Sequence, residues 1–337
     1  IGGNIFFEKR DFMNILFIID RIELKYFEFN NLVTNFWLIR EMLNENNKVF
    51  ITTIDKLSLI DAEAYTHCYE AYEKSGNIFY DKQDIHKKIE EFHLVMFRQD
   101  PPVDMDYINS TYIFDFVDRN KTMVLNEPRS IRDFNEKLHA VKFLEFMPEN
   151  IVTSSKSDIM EFLDKHEEIV LKPLNRCFGA GVMCLKKGDK NTAVIINSMT
   201  NNQSTLVMVQ KYIEKAKYGD KRVLFLGDKV LDYCVQKLPS NDDFKFNEHC
   251  DANIIKAELS DIEKAKFQLV AEELNKMGIC MAGLDVIDGQ IIEINVTSPC
   301  YFIKEINAHF GCELEKEITD FILNKVNTAS LQRCLNV

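Results

Sequence analysis

The opening of the chain fixes its fold class. Asn14 Ile15 Leu16 Phe17 Ile18 Ile19 Asp20 is a short apolar run closed by an acid, Phe36 to Leu43 carries helical spacing, and Lys48 to Thr52 is a second β-type run. A strand, a helix and a strand in that order predict a crossover unit with two parallel strands. His93 to Arg98 predicts another buried strand, and Gln99 Asp100 Pro101 Pro102 must leave it, because proline cannot continue a central strand. Thr111 to Asn120 reads as a helix and Met123 to Asn126 as the next strand. Residues 13–128 therefore predict one α/β unit with a mostly parallel sheet.

The texture changes after Pro128. A helix is expected over Arg132 to Phe143, then a short strand at Ile151 to Thr153, a helix from Ser157 to His166, and a strand at Ile169 to Lys172 paired with Met183 to Lys186. Leu206 to Gln210 opens a third segment, which runs through Arg222 to Leu226, Lys229 to Val235 and a helix near 260–277, and ends in paired strands around Asp285 and Glu293. A length of 337 residues suits two or three units with separate cores. The expected divisions are an extension or disordered terminus at 1–12, an N-terminal α/β substrate domain at 13–128, a lid at 129–205, a catalytic domain at 206–325 and a tail at 326–337.

Composition removes several function classes. Hydrophobic residues make up 46% and charged residues 28%, and no apolar run approaches the roughly 18 residues of a membrane-spanning helix. A net charge of -12 disfavours binding to nucleic acid or to an anionic membrane surface, both of which rely on positive charge to release counterions. The start lacks a signal-peptide pattern, and nine cysteines without a CxxC pair read as reduced thiols, so a cytoplasmic location is expected.

Chemistry concentrates in a few segments. Gly283 to Asn295 reads as two strands joined by a tight turn at Asp288 Gly289, with Glu293 and Asn295 on one face and Asp285 brought beside them across the turn. Oxygen ligands without histidine or cysteine suit a hard cation. Lys172 closes the apolar run Glu168 to Leu171, where a buried ammonium calls for an anionic partner. Lys137 stands in a helical pattern whose ordinary reading is an exposed lysine. Arg222, after Gly219 Asp220 Lys221, offers a planar fork to a phosphate or carboxylate. Asn175 to Gly181 is a loop whose backbone N–H groups suit phosphate, although a plain hairpin connection has the same look. Cys177, Cys184 and the His249 Cys250 Asp251 triplet lack the companions that catalysis or metal binding needs.

Taken in order, these segments resemble the bacterial type of glutathione synthetase, an ATP-grasp ligase, from Met13 to about Lys325. The resemblance rests also on Phe97 Arg98 Gln99 Asp100 Pro101 Pro102, Thr111 Tyr112 Ile113, Asn126 to Asp133, Asn135 Glu136 Lys137 Leu138, Leu171 Lys172 Pro173 Leu174 and Glu293 Ile294 Asn295 Val296 Thr297 Ser298 Pro299. It implies an α/β fold in which an N-terminal parallel-sheet domain precedes a two-part ATP-grasp fold, lid plus catalytic domain, with ATP between the last two. Lys172 and Arg222 would be catalytic. Lys137, Lys172, Gly179, Ala180, Gly181 and Asp220 would bind the nucleotide, with Gln210, Lys211, Tyr212 and Ile213 in an adenine-facing hinge that starts at Met208. Arg222, Lys245, Asn247, Ser298 and Lys304 would hold substrate, and Asp285, Glu293 and Asn295 would hold Mg2+, or Mn2+ in its place. The implied reaction joins γ-glutamylcysteine to glycine through an acyl-phosphate, giving glutathione, ADP and phosphate, in a homo-oligomer of the tetrameric kind.

Three places depart from the family's pattern. Asn175 Arg176 Cys177 Phe178 Gly179 stands where the phosphate-covering loop has more glycine. Lys245 Phe246 Asn247 and Asp251 Ala252 Asn253 Ile254 replace a glycine-rich loop with two arginines, and Lys304 stands where arginine is usual. Two alternatives follow: a carboxylate-amine ligase with another substrate pair, and a nucleotide-binding protein without turnover.

Overall fold

The computed structural model describes residues 12–21, 33–177, 179–239 and 254–335. Phe178, Lys245, Asn247 and the His249 Cys250 Asp251 triplet lie outside the described residues, as do residues 1–11.

The first unit contains β1 (Asn14–Ile18), α1 (Thr34–Asn44), β2 (Lys48–Thr52), β3 (Leu57–Ile60), β4 (Glu63–Lys74), β5 (Asn77–Tyr80), β6 (Ile85–Lys88), β7 (Leu94–Phe97), α2 (Met105–Ile113), β8 (Met123–Leu125) and α3 (Pro128–Asp133). Strands β2, β1, β7 and β8 are parallel neighbours, and burial on both faces explains their unbroken apolar runs. The sheet is mixed, however: β4 runs antiparallel to β2, and β3, β5 and β6 all pair antiparallel with β4. The expected mostly parallel sheet therefore carries an antiparallel extension. Its signal is the period-two burial of Glu63 to Cys68.

Two helix expectations need correction. The helix expected at Thr111 to Asn120 lies earlier, because the Asp104 side chain accepts the Tyr107 N–H and starts α2 at Met105; a 3₁₀ turn at Phe114–Phe116 ends it. The helix expected over Arg132 to Phe143 is broken. Asn135 Oδ1 accepts the N–H groups of Lys137 and Leu138 at 3.1 and 2.9 Å, closing a turn between α3 and a 3₁₀ segment at His139–Phe146. Lys137 thus sits on a turn and is 3% exposed, the opposite of a solvated helical lysine.

The second unit contains β9 (Asn150–Thr153), α4 (Lys156–His166), β10 (Glu168–Pro173), β11 (Met183–Lys186), α5 (Thr192–Met199) and β12 (Val207–Lys211). Its antiparallel sheet has the order β11-β10-β12-β9 over a core of Ile159, Leu163, Ile169, Leu171, Leu185 and Val209. Because β12 pairs with both β9 and β10, this sheet runs past residue 205 to Lys211.

The third unit contains β13 (Asp220–Leu226), β14 (Lys229–Lys237), β15 (Ile254–Ala257), α6 (Asp261–Lys276), β16 (Met281–Ile287), β17 (Gln290–Asn295), α7 (Ile303–Phe310) and α8 (Leu314–Leu335). Its five strands are antiparallel in the order β15-β14-β13-β16-β17. Asp288 and Gly289, with φ of 51° and 70°, make the tight turn between β16 and β17. The tail expected from residue 326 is helical to Leu335 instead, since Ile318, Ile322 and Val326 recur every four residues and bury one stripe.

Asn126 ties the first unit to the third. Its Nδ2 donates to the carbonyls of Met281 and Val296 at 2.7 and 2.9 Å, and its Oδ1 accepts from the N–H groups of Cys280 and Met281. All the hydrogen-bonding capacity of the amide is used on one junction, which fixes where β16 starts and where β17 ends.

Candidate active site

A cavity of ≈ 210 Å³ opens between the second and third sheets, with Asp100 and Pro101 of the first unit at its edge. β10 brings Lys172, β12 brings Gln210, β13 brings Asp220 and Arg222, and the hairpin β16–β17 brings Asp285, Glu293 and Asn295. Lys137 enters from the Asn135 turn. Gly179, Ala180, Lys211, Tyr212, Ile213 and Ser298 also line it.

Strand register sets the spacing. Asp285 faces Glu293 directly across the hairpin and Gly283 faces Asn295, while Arg222 faces Asp285 across β13 and β16. Arg222 holds Asp285 with both prongs of its fork, Nε to Oδ1 at 2.9 Å and one terminal nitrogen to Oδ2 at 3.2 Å, and its other nitrogen donates to the Cys300 carbonyl at 2.9 Å. Lys237 Nζ lies between Asp220 Oδ2 at 2.6 Å and Asp285 Oδ1 at 2.8 Å. Lys137 Nζ donates to Glu293 Oε1 at 2.8 Å and to the Arg176 carbonyl at 2.6 Å, and Lys172 Nζ to the Ile292 carbonyl at 3.1 Å.

The electrostatics follow from burial and pairing. Burial pushes the Lys172 ammonium down to about 8, since its one hydrogen-bonded partner is a neutral carbonyl. Burial alone would depress Lys137 too, but the Glu293 carboxylate beside it leaves its pKa raised. Burial would likewise raise Asp285, yet Arg222 and then Lys237 hold it well below the usual carboxylate range. Asp220 is pushed by burial up to about 6. Cys177 and Cys184 are pushed to about 12 by burial, so neither supplies a thiolate at neutral pH.

The donor set fits a hard divalent cation. Two carboxylates and an amide converge, without sulfur or imidazole, and Asn295 directs its Nδ2 to Gly283 and Asp285, leaving its oxygen as the atom for an ion. Asp285 enters this group already engaged by two cationic side chains. Among the described residues no set of three or more histidine, cysteine, aspartate or glutamate side chains is arranged to hold an ion. The cavity also fits a base: Gln210 is 2% exposed, and its Nε2 has no hydrogen-bond partner among the described residues. A buried amide left unmatched in this way suits an acceptor on a ligand.

Some sequence expectations fall outside this arrangement. Lys304 does not line the cavity; it is exposed near the start of α7, where Ile303 and Ile306 turn inward instead. Gly181 does not line it either and serves the loop, with φ of 74° and space for a Cβ limited by Pro173 Cγ at 3.1 Å. Met208 is buried in the core and does not line the cavity, whereas Gln210 and the three residues after it do. Lys237 and Glu136 line the cavity and were missed. The signal for Lys237 was its parity with buried Val235 on β14, a lysine at an inward position.

Comparison with known proteins agrees with this geometry. Residues 13–132 match the N-terminal domain of prokaryotic glutathione synthetase, and residues 136–311 match the ATP-grasp domain of the same family. A glutathione synthetase of Neisseria meningitidis is 31% identical over 295 residues, covering 86% of this chain and 92% of its own. One of Nitrosomonas europaea is 38% identical over 212 residues, covering 62% and 65%. One of Escherichia coli is 31% identical over 294 residues, covering 86% and 92%. Among solved structures, the D-cycloserine synthetase DcsG superposes with a TM-score of 0.66 at 13% identity, covering 93% of this chain and 99% of that one. The ATP-grasp ligase PsnB, in a complex with Mg and ADP, gives 0.59 at 14% identity, covering 93% and 98%. These two share the fold. No helix among the described residues is long and apolar enough to cross a membrane. The chain belongs to the prokaryotic glutathione synthetase family and is a glutathione-synthetase-like ATP-grasp ligase that uses ATP on small-molecule substrates.

Proposed function

We propose that the chain joins γ-glutamylcysteine to glycine, forming glutathione, ADP and phosphate. The observation that carries the reading is the convergence of Lys137, Lys172 and Arg222 with Glu293 and Asn295 in one cavity, which puts cations where phosphoryl charge must be held and oxygen ligands beside them. Gln210 takes the base through its unmatched amide, with Tyr212 and Ile213 lining the same cavity. Lys137 and Lys172 hold the transferring phosphates. Arg222 faces the carboxylate of γ-glutamylcysteine and holds the charge of the tetrahedral species when the amine of glycine displaces phosphate. The cavity walls exclude water, which would otherwise hydrolyse the acyl-phosphate.

Magnesium is the proposed ion, held by Glu293 and Asn295 with Asp285 behind them, and it would draw charge from the phosphates. A cytoplasmic location, as the thiol usage suggests, and a homotetramer complete the reading, the latter to be checked by light scattering. The function is tested by incubating the protein with magnesium, ATP, γ-glutamylcysteine and glycine and scoring products by mass spectrometry. Glutathione formed in step with ADP supports it. ADP release that ignores γ-glutamylcysteine and follows another acid, or no release, overturns it.

A further inference from the structure

Glu136 is a buried carboxylate that no catalytic step uses. It is 7% exposed and sits one residue before Lys137, on the turn that Asn135 closes. Its Oε1 accepts three hydrogen bonds, from the N–H groups of Val296 and Thr297 at 2.7 and 3.0 Å and from the Thr297 hydroxyl at 3.0 Å. Its backbone carbonyl accepts the Ile294 N–H at 3.1 Å. One residue therefore grips the chain on both sides of Asn295, before it at Ile294 and after it at Val296 and Thr297. The next residue, Lys137, grips Glu293.

That placement has a consequence for β17. Asn295 is the last residue of the strand, where the ladder ends and the backbone becomes free to turn. The β16 partner of Asn295 is Gly283, which has no side chain to pack against it. The Asn295 side chain is anchored to β16 through its Nδ2, which donates to the Gly283 carbonyl and to Asp285 Oδ2, so what remains to be fixed is the backbone that carries it, and Glu136 holds that backbone on both sides. Charge works against it: burial first, and then the nearby Glu293 carboxylate, push the Glu136 carboxyl upward. A carboxylate kept in such a place is held by its geometry, through the amides it binds.

We propose that Glu136 is a positioning residue for the metal site, fixing Asn295 in the place where its oxygen meets the cation by clamping Ile294, Val296 and Thr297. The proposal rests on the functional reading above.

Two substitutions separate geometry from charge. Glu136→Gln removes the charge and keeps an oxygen at the same reach for the three donors. Glu136→Asp keeps the charge and withdraws it by one methylene from all three. The measurement is manganese affinity in the presence of ADP, read from the electron paramagnetic resonance signal of free Mn2+, with kcat and the KM for magnesium-ATP measured separately and the thermal midpoint as a check on folding. Glu136→Asp is expected to weaken manganese about tenfold and to raise KM, while Glu136→Gln loses less than threefold. The reverse order, or equal loss in both, overturns the proposal in favour of a charge effect or a purely structural one. Should Glu136→Asp fail to fold, Thr297→Val removes one donor of three and is expected to weaken manganese two- to fivefold at an unchanged thermal midpoint; no change overturns the proposal. Wild-type protein that takes up no manganese with ADP overturns the functional reading itself, a failure distinct from these.

Discussion

Lys137 Nζ lies 2.8 Å from Glu293 Oε1, a part-buried ion pair between a turn in the first half of the chain and the last strand of the catalytic sheet. Each partner has a second destination in the proposed reaction: the lysine on a phosphate and the carboxylate on a cation. Nucleotide and metal entering together satisfy both, whereas either alone leaves one charge buried and unmatched. ATP and magnesium are therefore expected to bind with positive coupling of at least fivefold, measured by calorimetric titration of ATP with and without the ion. Independent binding would contradict the exchange. Lys137→Met is expected to lower kcat/KM for ATP tenfold or more, and Glu293→Ala to remove magnesium-dependent turnover.

Lys172 presents the opposite balance, a buried ammonium with only a carbonyl as hydrogen-bonded partner. Replacing it by methionine, of similar shape and without charge, removes a desolvation penalty from the unliganded fold. Lys172→Met is expected to keep or raise the thermal midpoint while weakening ATP more than tenfold. A large fall in midpoint with normal ATP affinity would mean that the lysine holds the core and not the ligand.

The same residue predicts a pH dependence. Its pKa is near 8 in the free protein, against 10.5 ordinarily, and a phosphate beside it raises it again. A group whose pKa rises on binding takes up a proton, so binding is favoured at low pH: nucleotide affinity is full below about 8 and declines as the pH rises from there toward 10.5. Calorimetry in two buffers of different ionisation enthalpy is expected to show uptake of roughly half a proton at pH 8 and almost none at pH 6. Proton release, or uptake that is constant with pH, would refute the assignment.

Gly219 carries the turn into β13 with φ of 89°, and a Cβ built there would lie 1.9 Å from the Lys237 carbonyl oxygen. Backbone cannot yield as a flexible side chain does, so Gly219→Ala must displace the strand that delivers Lys237 to Asp220 and Asp285. The expected loss is at least about 2 kcal/mol of stability, read as a clear fall in thermal midpoint. Gly76→Ala, at a similar φ of 84° with open space around it, separates the clash from the φ strain and is expected to lose less.

Legibility followed the periodicity of the residues. The hairpin carrying Asp285, Glu293 and Asn295 could be read from its alternation and its Asp-Gly turn, but the plain register of that turn would set Asp285 opposite Ile292; a register shift between Asp285 and Val286 is what pairs Asp285 with Glu293. The setting of Lys137, expected on a helix, was misread because a helical pattern from Arg132 onward hides the side chain, Asn135, that breaks it. Strands β3 to β6 were missed since three of them are only four residues long and their apolar residues do not alternate cleanly with polar ones, Leu59 and Ile60 being adjacent and both exposed. Lys304 was carried over from a family position, but a helix places residues by angle, and the exposed face of α7 is where it falls.

Arg222 allows charge and geometry to be told apart at the centre of the site. Three of its nitrogens are committed, two to Asp285 and one to the Cys300 carbonyl, and the guanidinium lies 5.4 Å from the centre of the Phe302 ring. Lysine keeps the charge but cannot bridge both carboxylate oxygens and the carbonyl from one ammonium. Arg222→Lys deprives Asp285, already deep in the fold, of its two-pronged grip and leaves Lys237 and Asn295 as its fixed donors. A tenfold or greater fall in kcat, about 1.4 kcal/mol or more of barrier, is expected with a smaller change in ATP affinity, because the role proposed for Arg222 is toward the acid substrate and the role proposed for Gln210 is toward the base. Steady-state kinetics with ATP and γ-glutamylcysteine varied separately make the measurement. A variant that retains wild-type kcat would show that any cation suffices at this position, and that the paired geometry with Asp285 serves the fold alone.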